Sequence, residues 1–311
     1  MRYKSSNKIG EGRYYTASSP FGHQAFLDWA KAADLPSSRI LEPFAGSNSL
    51  IDYLKRMGLC DRFSSYDIVP AANRVKQRDT LGDFPAGFDV CITNPPWLAK
   101  NSATIRGLPY PDCRHDDLYK FALEKCIAHC GYVAILVPES FIRARIFRER
   151  LTDFVSLTPK MFNDTGHPVG LALFRPEKTQ STVVWSDSKK IGTLAQLEAK
   201  RLKPVPDGPD VRFNDPCGNV GLIALDNIQS ASIRFCEVEE LAAYNVKPTG
   251  RHITKVKFAG DVHIDKWNEC LKHFREATYD VLLTCYKGIR KDGMYRRRLD
   301  WQLARGIMHH A

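Results

Sequence analysis

Arg39-Ile40-Leu41-Glu42-Pro43-Phe44-Ala45-Gly46 runs directly into Ser47-Asn48-Ser49-Leu50-Ile51-Asp52-Tyr53-Leu54. Ile40-Leu41 reads as a short strand and Ala45-Gly46 as a tight turn. Residues 47–54 open a helix that ends near Gly58. Strand, glycine turn and helix in that order form the nucleotide-binding corner of an open α/β sheet. Phe63-Ser64-Ser65-Tyr66-Asp67-Ile68 is a second strand. It closes on a carboxylate, Asp67, about 20 residues past the glycine turn, where a ribose-binding acid belongs.

Working outward, Ser18-Ser19-Pro20 opens a first helix, with Ser19 as N-cap and Pro20 at the first helical position. Phe21, Ala25, Leu27, Trp29 and Ala32 form its apolar face. A short helical segment is expected around Ala71–Val75, ahead of Asp79. Asp89-Val90-Cys91-Ile92-Thr93 is a buried strand, and residues 98–115, rich in Gly, Pro, Asn and Ser, read as a long loop. A loop of that length after a strand end suits a lid or substrate contact. The pattern then gives a helix over 116–130, a strand over 131–138 and an Arg-rich helix from Glu139 to Leu151. Strands at 154–157 and 169–174 close the sheet, with Phe162-Asn163-Asp164-Thr165-Gly166-His167-Pro168 between them. Strands alternating with helices imply an α/β fold to about Phe174. Composition changes near residue 176. The chain is therefore divided into 1–178 and a smaller, irregular α+β domain over 179–311.

The strand at 89–93 stops at Asn94-Pro95-Pro96-Trp97. Asn94 precedes a proline and is biased to extended geometry, and neither proline donates a backbone hydrogen bond. The carbonyls of the turn are left pointing outward beside the Asn side chain. That arrangement accepts both hydrogens of an exocyclic amine, and Trp97 can stack on the ring that carries it.

The 311 residues suffice for one large domain or two ordinary ones, and the composition, 43% hydrophobic and 26% charged, is that of a globular protein. No apolar run is long enough to cross a bilayer, and residues 1–6 lack the apolar stretch of a secretory signal. Nine scattered cysteines read as reduced, which points to a cytoplasmic protein, and no membrane partner is expected. A formal net charge of +10 fits a polyanionic partner without requiring one.

Taken together, Gly12-Arg13-Tyr14-Tyr15-Thr16, Leu41 to Gly46, Tyr66-Asp67-Ile68, Asp79 and Asn94-Pro95-Pro96-Trp97 resemble one family in order and spacing. These are the S-adenosylmethionine-dependent N6-adenine DNA methyltransferases of the gamma class, in which a target-recognition domain comes last. The resemblance spans Gly12 to about Phe174. It implies a class I methyltransferase fold, a Rossmann-like mixed sheet with helices on both faces. It also implies S-adenosylmethionine as cofactor without a metal, double-stranded DNA as partner, and a place in a restriction-modification system. A cognate restriction endonuclease would share the target site without forming a stable complex.

Residue by residue, the resemblance puts Thr16 and the backbone of Ala45-Gly46 at the methionine carboxylate and Glu42 at its ammonium. Asp67 falls at the ribose hydroxyls, Asp79 at the adenine amine and Ile68 against the adenine ring. Phe44 either lines the pocket or belongs to the core. Asn94 and Pro95 would hold the substrate amine, with Pro96 shaping the turn. Trp97 and Phe162 would pack on a base flipped out of the duplex. The chain departs from the family at Asn48, where a small residue is usual, at Ala17 in place of proline, and at Asp67 in place of Glu. The first could narrow the cofactor turn.

In the second domain basic residues gather late: Lys287, Arg290, Lys291, Arg296, Arg297, Arg298 and Arg305, interleaved with Tyr286, Tyr295 and Trp301. They read equally as DNA contacts, with Arg290 and Arg296 to Arg298 foremost, or as a solvated basic face. Cys126 to Cys130 and Cys113 to His115 lack the second pair that a zinc site needs. RNA, cytosine N4 or a protein glutamine amide would suit the same Asn-Pro-Pro-aromatic turn. The reading from another class is a nucleic-acid-binding module with a dead catalytic fold.

Overall fold

The computed structural model describes Tyr14 and residues 16–158, 161–162 and 166–310. Gly12, Arg13 and Tyr15 of the first motif, and Asn163, Asp164 and Thr165 of the loop before the closing strand, lie outside the described residues. The chain divides into two compact units, 1–190 and 191–311.

In the first unit the strands are β1 (Arg39–Glu42), β2 (Arg62–Asp67), β3 (Lys76–Gln77), β4 (Val90–Thr93), β5 (Tyr132–Pro138), β6 (Leu151–Leu157), β7 (Val169–Phe174), β8 (Val183–Ser186) and β9 (Lys189–Thr193). They form one sheet in the order β3-β2-β1-β4-β5-β7-β6-β8-β9. Strands β1 to β5 pair in parallel, and β7 lies antiparallel between β5 and β6. From β1 the chain winds outward through β2 and β3, then returns to place β4 on the other side. Right-handed crossovers in opposite directions put their helices on opposite faces and leave a crevice where the order reverses. This order, with its reversed seventh strand, is the class I methyltransferase fold that the resemblance implies. Strands β8 and β9 extend it beyond β6.

The middle of the sheet is its core. Every residue of β4 and β7 is buried, as are the five central residues of β5. Gly170 in β7 is a packing requirement: a Cβ there would lie 2.2 Å from Cζ of Phe154.

Four local expectations are corrected. The first helix, α1, runs Gln24–Ala32 with His23 as its uncapped N-terminus, not from Ser19 and Pro20. Phe21 is instead buried and packs on Phe26 at 4.4 Å between ring centroids, so the entry is anchored by apolar contact. After α2 (Ser49–Arg56) and β2, residues 71–75 form a turn rather than a helix, and Arg74 reaches back to Asp52. The loop over 98–115 contains a helix of its own, α3 (Lys100–Ile105), ahead of α4 (Leu118–His129). The Arg-rich helix from Glu139 to Leu151 is two single 3-10 turns, Glu139–Arg143 and Arg148–Arg150. Arg145 and Phe147 between them have φ of 55° and 54°, which no continuing helix allows. Arg150 is turned inward to backbone carbonyls. Its guanidinium donates to the carbonyls of Ile127 at 2.8 Å and Cys130 at 3.0 Å, capping the end of α4.

The second unit begins with α5 (Leu194–Ala199), held by a capping box between Thr193 and Gln196. It then builds β10 (Val211–Phe213), β11 (Val220–Ile223), β12 (Arg234–Cys236) and β13 (Ile253–Phe258) into an antiparallel sheet of order β10-β13-β11-β12. The helix α6 (Ile264–Thr278), the hairpin β14 (Thr284–Ile289) and β15 (Tyr295–Arg298), and α7 (Trp301–His310) complete it. Among the described residues no helix is long and apolar enough to cross a membrane.

Candidate active site

Three loops at the carboxyl ends of β1, β2 and β4 meet over the crevice. Gly46, at φ of 49°, turns the chain out of β1, and its N–H donates to Asp67 Oδ2 at 2.8 Å. Asp67 Oδ1 accepts from Val69 N–H at 2.8 Å, so backbone donors fix both carboxylate oxygens. The Ala45 N–H donates to the Tyr66 carbonyl at 2.8 Å, and the Thr80 hydroxyl donates to the Pro43 carbonyl at 2.7 Å. These bonds tie the β1 turn to β2 and to the Asp79 loop.

A cleft opens there, about 620 Å3 when its solvent-filled mouth is included. Thr16, Glu42, Phe44, Ala45, Gly46, Asp67, Ile68, Asn94, Pro95 and Pro96 all line it, together with Tyr14, Ser47, Ser49 and Leu50. Asp79 lies in an adjoining apolar chamber with Leu81, Leu98, Tyr110 and Phe121. The two share Phe44, Ile68 and Pro96 as common walls. Phe44 therefore lines the pocket. Asp79 Oδ1 accepts from the N–H groups of Leu81 and Gly82 at 3.2 and 3.3 Å, which holds its carboxylate at the chamber's edge.

Glu42 is 2% exposed, and burial pushes its carboxyl well above the usual range, with Asp67 and Asp52 adding to the shift. An acid buried among acids is stabilised by an incoming cation. Asn48, in the left-handed region at φ of 68°, is wholly buried and does not line the cleft. With its amide turned to satisfy its neighbours, it donates to Glu42 Oε2 and Ser65 Oγ, both at 2.7 Å, and accepts from Arg74 Nε at 3.0 Å. The larger residue thus braces Glu42 and stays out of the cleft lining.

At the end of β4, Asn94 Nδ2 donates to the Tyr14 carbonyl at 2.8 Å, while its Oδ1 is buried with no hydrogen-bond partner among the described residues. The Nδ2 bond fixes which way the amide faces, so the oxygen is the atom held in reserve. Trp97 and Phe162 are 9% and 1% exposed and meet edge to face at 5.2 Å. Tyr14 stacks on Phe162 at 5.7 Å and meets Trp97 at 5.9 Å. Trp97 does not line the cleft with Asn94. It faces a second, polar cavity with Tyr14, Ser102, Asp117, Ser140 and His167. Burial pushes Asp117 up to about 6.

Tyr14 is a site residue that sequence reasoning misses, as are Ser47, Ser49 and Leu50. The sequence signal for Tyr14 is its place two residues before Thr16 in the first motif, since Thr16 already belongs to the cleft.

No family model and no curated protein matches the sequence. Among solved structures, the chain is similar to a protein from Listeria monocytogenes, provisionally named a class I S-adenosylmethionine-dependent methyltransferase. The identity is 13%, over 60% of this chain and 72% of that one, with a TM-score of 0.36. It is also similar to the methyltransferase subunit of a type I restriction-modification system from Streptococcus thermophilus, at 18% identity and a TM-score of 0.36. That match covers 60% of this chain and 52% of the other, so the chain spans about half its length. A third is the M protein of the type I restriction enzyme EcoKI, at 14% identity over 79% and 68% of the two chains, with a TM-score of 0.35. Such distant likenesses carry no chemistry, and the reading of the site rests on its own geometry.

The basic residues of the second unit separate into two kinds. Arg290 and Arg297, expected either as DNA contacts or as a solvated basic face, are only 7% and 2% exposed. Arg290 is committed to Asp226 at 2.8 Å and Asp292 at 2.9 Å. Arg296 and Arg298 are only half-buried. Arg296 lies over the Tyr286 ring at 5.0 Å, and Tyr286 meets His252 at 5.1 Å. Burial and then the positive charges of Arg298, Arg296 and Lys247 lower the His252 pKa, as expected inside a cationic face. Among the described residues, no group of three or more His, Cys, Asp or Glu is arranged to hold a metal ion.

Proposed function

We propose that the protein transfers a methyl group from S-adenosylmethionine to an exocyclic amine, and specifically to adenine N6 in duplex DNA. One observation carries the reading: Asn94, which lines a cleft with Glu42 and Asp67, has a buried Oδ1 with no hydrogen-bond partner among the described residues. A buried acceptor left unpaired costs about 1–3 kcal/mol and is retained where a ligand completes it.

The donor set fits the cofactor. Glu42, pushed toward its neutral form, takes the ammonium and gives up its proton on binding. Asp67 accepts from ribose hydroxyls, Thr16 and the Gly46 turn face the carboxylate, and Ile68 and Phe44 cover the adenine, with Asp79 at its amine. When bound, S-adenosylmethionine supplies a methyl group on a positively charged sulfur. Asn94 Oδ1 and the Pro95 carbonyl accept the two hydrogens of the substrate amine. This directs its lone pair, otherwise spread into the ring, toward that methyl. Positioning and fixed dipoles supply the acceleration. The proton leaves after transfer, to water.

In a duplex the amine reaches this cleft only when its base is flipped out, at a cost of a few kcal/mol, offset by stacking on Trp97 and Phe162. The second unit, residues 191–311, would bind DNA through the cationic face around Arg296, Arg298, Lys247 and Tyr286, and a restriction endonuclease of the same site would be its counterpart. The test is incubation with methyl-labelled cofactor and, separately, duplex DNA, RNA and protein. Label recovered as N6-methyladenine in DNA supports the assignment. Label in RNA or protein alone overturns the substrate, and cofactor binding without transfer marks a dead catalytic fold.

A further inference from the structure

Tyr14 lines both the cofactor cleft and the polar cavity beside Trp97, and it is the residue the two linings share. Its two halves do different things. The carbonyl accepts from Asn94 Nδ2 at 2.8 Å and holds that amide in register. The ring stacks on Phe162 and covers the edge of Trp97. The segment is anchored by Ala17 N–H donating to the Met161 carbonyl at 2.8 Å, and Thr16 bridges to Phe162.

The three rings stand 5.2 to 5.9 Å apart. A planar ring inserted between two others needs about 7 Å, two van der Waals thicknesses. No acceptor ring fits among them in this arrangement. Trp97 and Phe162 are themselves 9% and 1% exposed, so neither offers a free face to an acceptor. Trp97 Nε1 is itself buried without a partner among the described residues. Rotation about the Tyr14 Cα–Cβ bond would carry the ring away and leave its carbonyl on Asn94. The cavity lined by Ser102, Asp117, Ser140 and His167 offers the space.

We propose that the Tyr14 ring is the door between these two spaces: the acceptor ring enters through the cavity beside Trp97, displaces Tyr14, and so brings its amine to Asn94. This rests on the methyl-transfer reading above and adds the acceptor's route and the residue that guards it. Although Tyr14 lines both spaces, loss of its ring is expected to act on acceptor access more than on cofactor binding, because Thr16 and the main chain stay in place.

The experiment compares Tyr14→Ala and Tyr14→Phe with the unmodified protein. Adenine-containing duplex oligonucleotides serve as acceptor, and cofactor affinity is measured by calorimetry. Removing the ring relieves two aromatic contacts, and the acceptor KM is expected to fall about five- to tenfold in Tyr14→Ala. Tyr14→Phe restores the higher KM, and cofactor Kd changes less than about twofold. A raised acceptor KM in Tyr14→Ala, or an equal weakening of the cofactor, overturns the proposal. If no oligonucleotide is methylated by any of the proteins, the substrate assignment has failed, and the door is judged by acrylamide quenching. The Trp97 contribution, isolated by subtracting the Trp97→Phe signal in each background, must become quenchable in Tyr14→Ala and stay shielded in Tyr14→Phe. Equal shielding in both refutes it.

Discussion

Two regions of this protein bury polar groups, and they treat them in opposite ways. In the second unit Asp226 has a fully buried side chain, and six hydrogen bonds converge on its carboxylate. Its Oδ1 accepts from the N–H groups of Ser232 and Ile233 and from Arg275. Its Oδ2 accepts from Arg275, Arg290 and the Arg297 N–H. At the end of β4 in the first unit, Asn94 Oδ1, Thr93 Oγ1 and Trp97 Nε1 are buried with no partner among the described residues. A completed network holds a fold together, whereas an incomplete one retains a cost that a ligand can remove. Glu42 stands between the two cases, braced by Asn48 yet surrounded by acids and in need of a cation.

The sharpest way to break this contrast is to disturb the completed network. Asp226→Asn leaves Arg275 and Arg290 buried without their common anion, and loss of about 3–5 kcal/mol of stability is expected. Burial opposes ionisation of Asp226, but Arg275 and Arg290 outweigh it and hold its pKa below the usual range. Its folded value is below its unfolded value, so its contribution is present at neutral pH and is lost as pH falls through the folded value. Urea denaturation of Asp226→Asn and the parent at pH 7 and again at pH 3 measures this. A gap that fails to narrow in acid removes Asp226 from that role.

The same test on the incomplete region has a different outcome. Asn94→Ala deletes an atom with no partner and one bond to Tyr14, so stability should change by no more than about 1 kcal/mol. Methyl transfer should fall by about 10²- to 10³-fold, the usual cost of removing one preorganised charge-stabilising group. Single-turnover kinetics with saturating cofactor measures that fall, and calorimetry should show cofactor affinity within about twofold. A large stability loss would make Asn94 a structural residue and erase the contrast.

Glu42→Gln probes the intermediate case. The folded pKa of Glu42 lies above its unfolded value, so the folded protein keeps a proton that the unfolded chain releases. Stability therefore falls as pH rises through that window. Gln removes the penalty, so the variant should melt higher than the parent at pH 8 and equally at pH 4. Cofactor affinity should drop about 10- to 100-fold through loss of a hydrogen bond to a charged group. In the parent, affinity should strengthen with rising pH until Glu42 is ionised in the free protein. A pH-independent parent would detach Glu42 from the ammonium.

How much of this is legible in sequence follows the distance over which each feature is built. The turn from Glu42 to Gly46, the acid at Asp67 and the amide at Asn94 each sit at a strand end, and strand ends are marked locally by glycine, proline and the apolar run before them. The pairing of Tyr14 with Asn94 joins residues 80 apart, and no local pattern announces it. Arg290 and Arg297 mislead for the same reason. A run of arginines looks like a charged surface until the acid 64 residues before Arg290 is seen to face it. The Arg-rich stretch over 139–151 is no continuous helix because residues in the left-handed region interrupt it, and Arg145 and Phe147 carry no sequence mark of that conformation.

Asn48 allows the smallest and most discriminating test. Sequence comparison with the family pattern suggests a residue too large for the cofactor turn, but the structure puts it against Glu42 and out of the cleft lining. A narrowing side chain, once shortened, would improve cofactor binding. A bracing one would weaken it. Asn48→Ala is therefore expected to lower cofactor affinity by about three- to tenfold, the net value of one hydrogen bond to a carboxylate. Asn48→Gly would serve less well as a test, because glycine also relaxes the left-handed backbone at φ of 68°. The pH profile separates bracing from general loosening. A donor to Glu42 favours its ionised form, so its removal should move the rise in cofactor affinity to higher pH. An affinity loss with an unmoved profile would mean that Asn48 supports the turn without acting through Glu42.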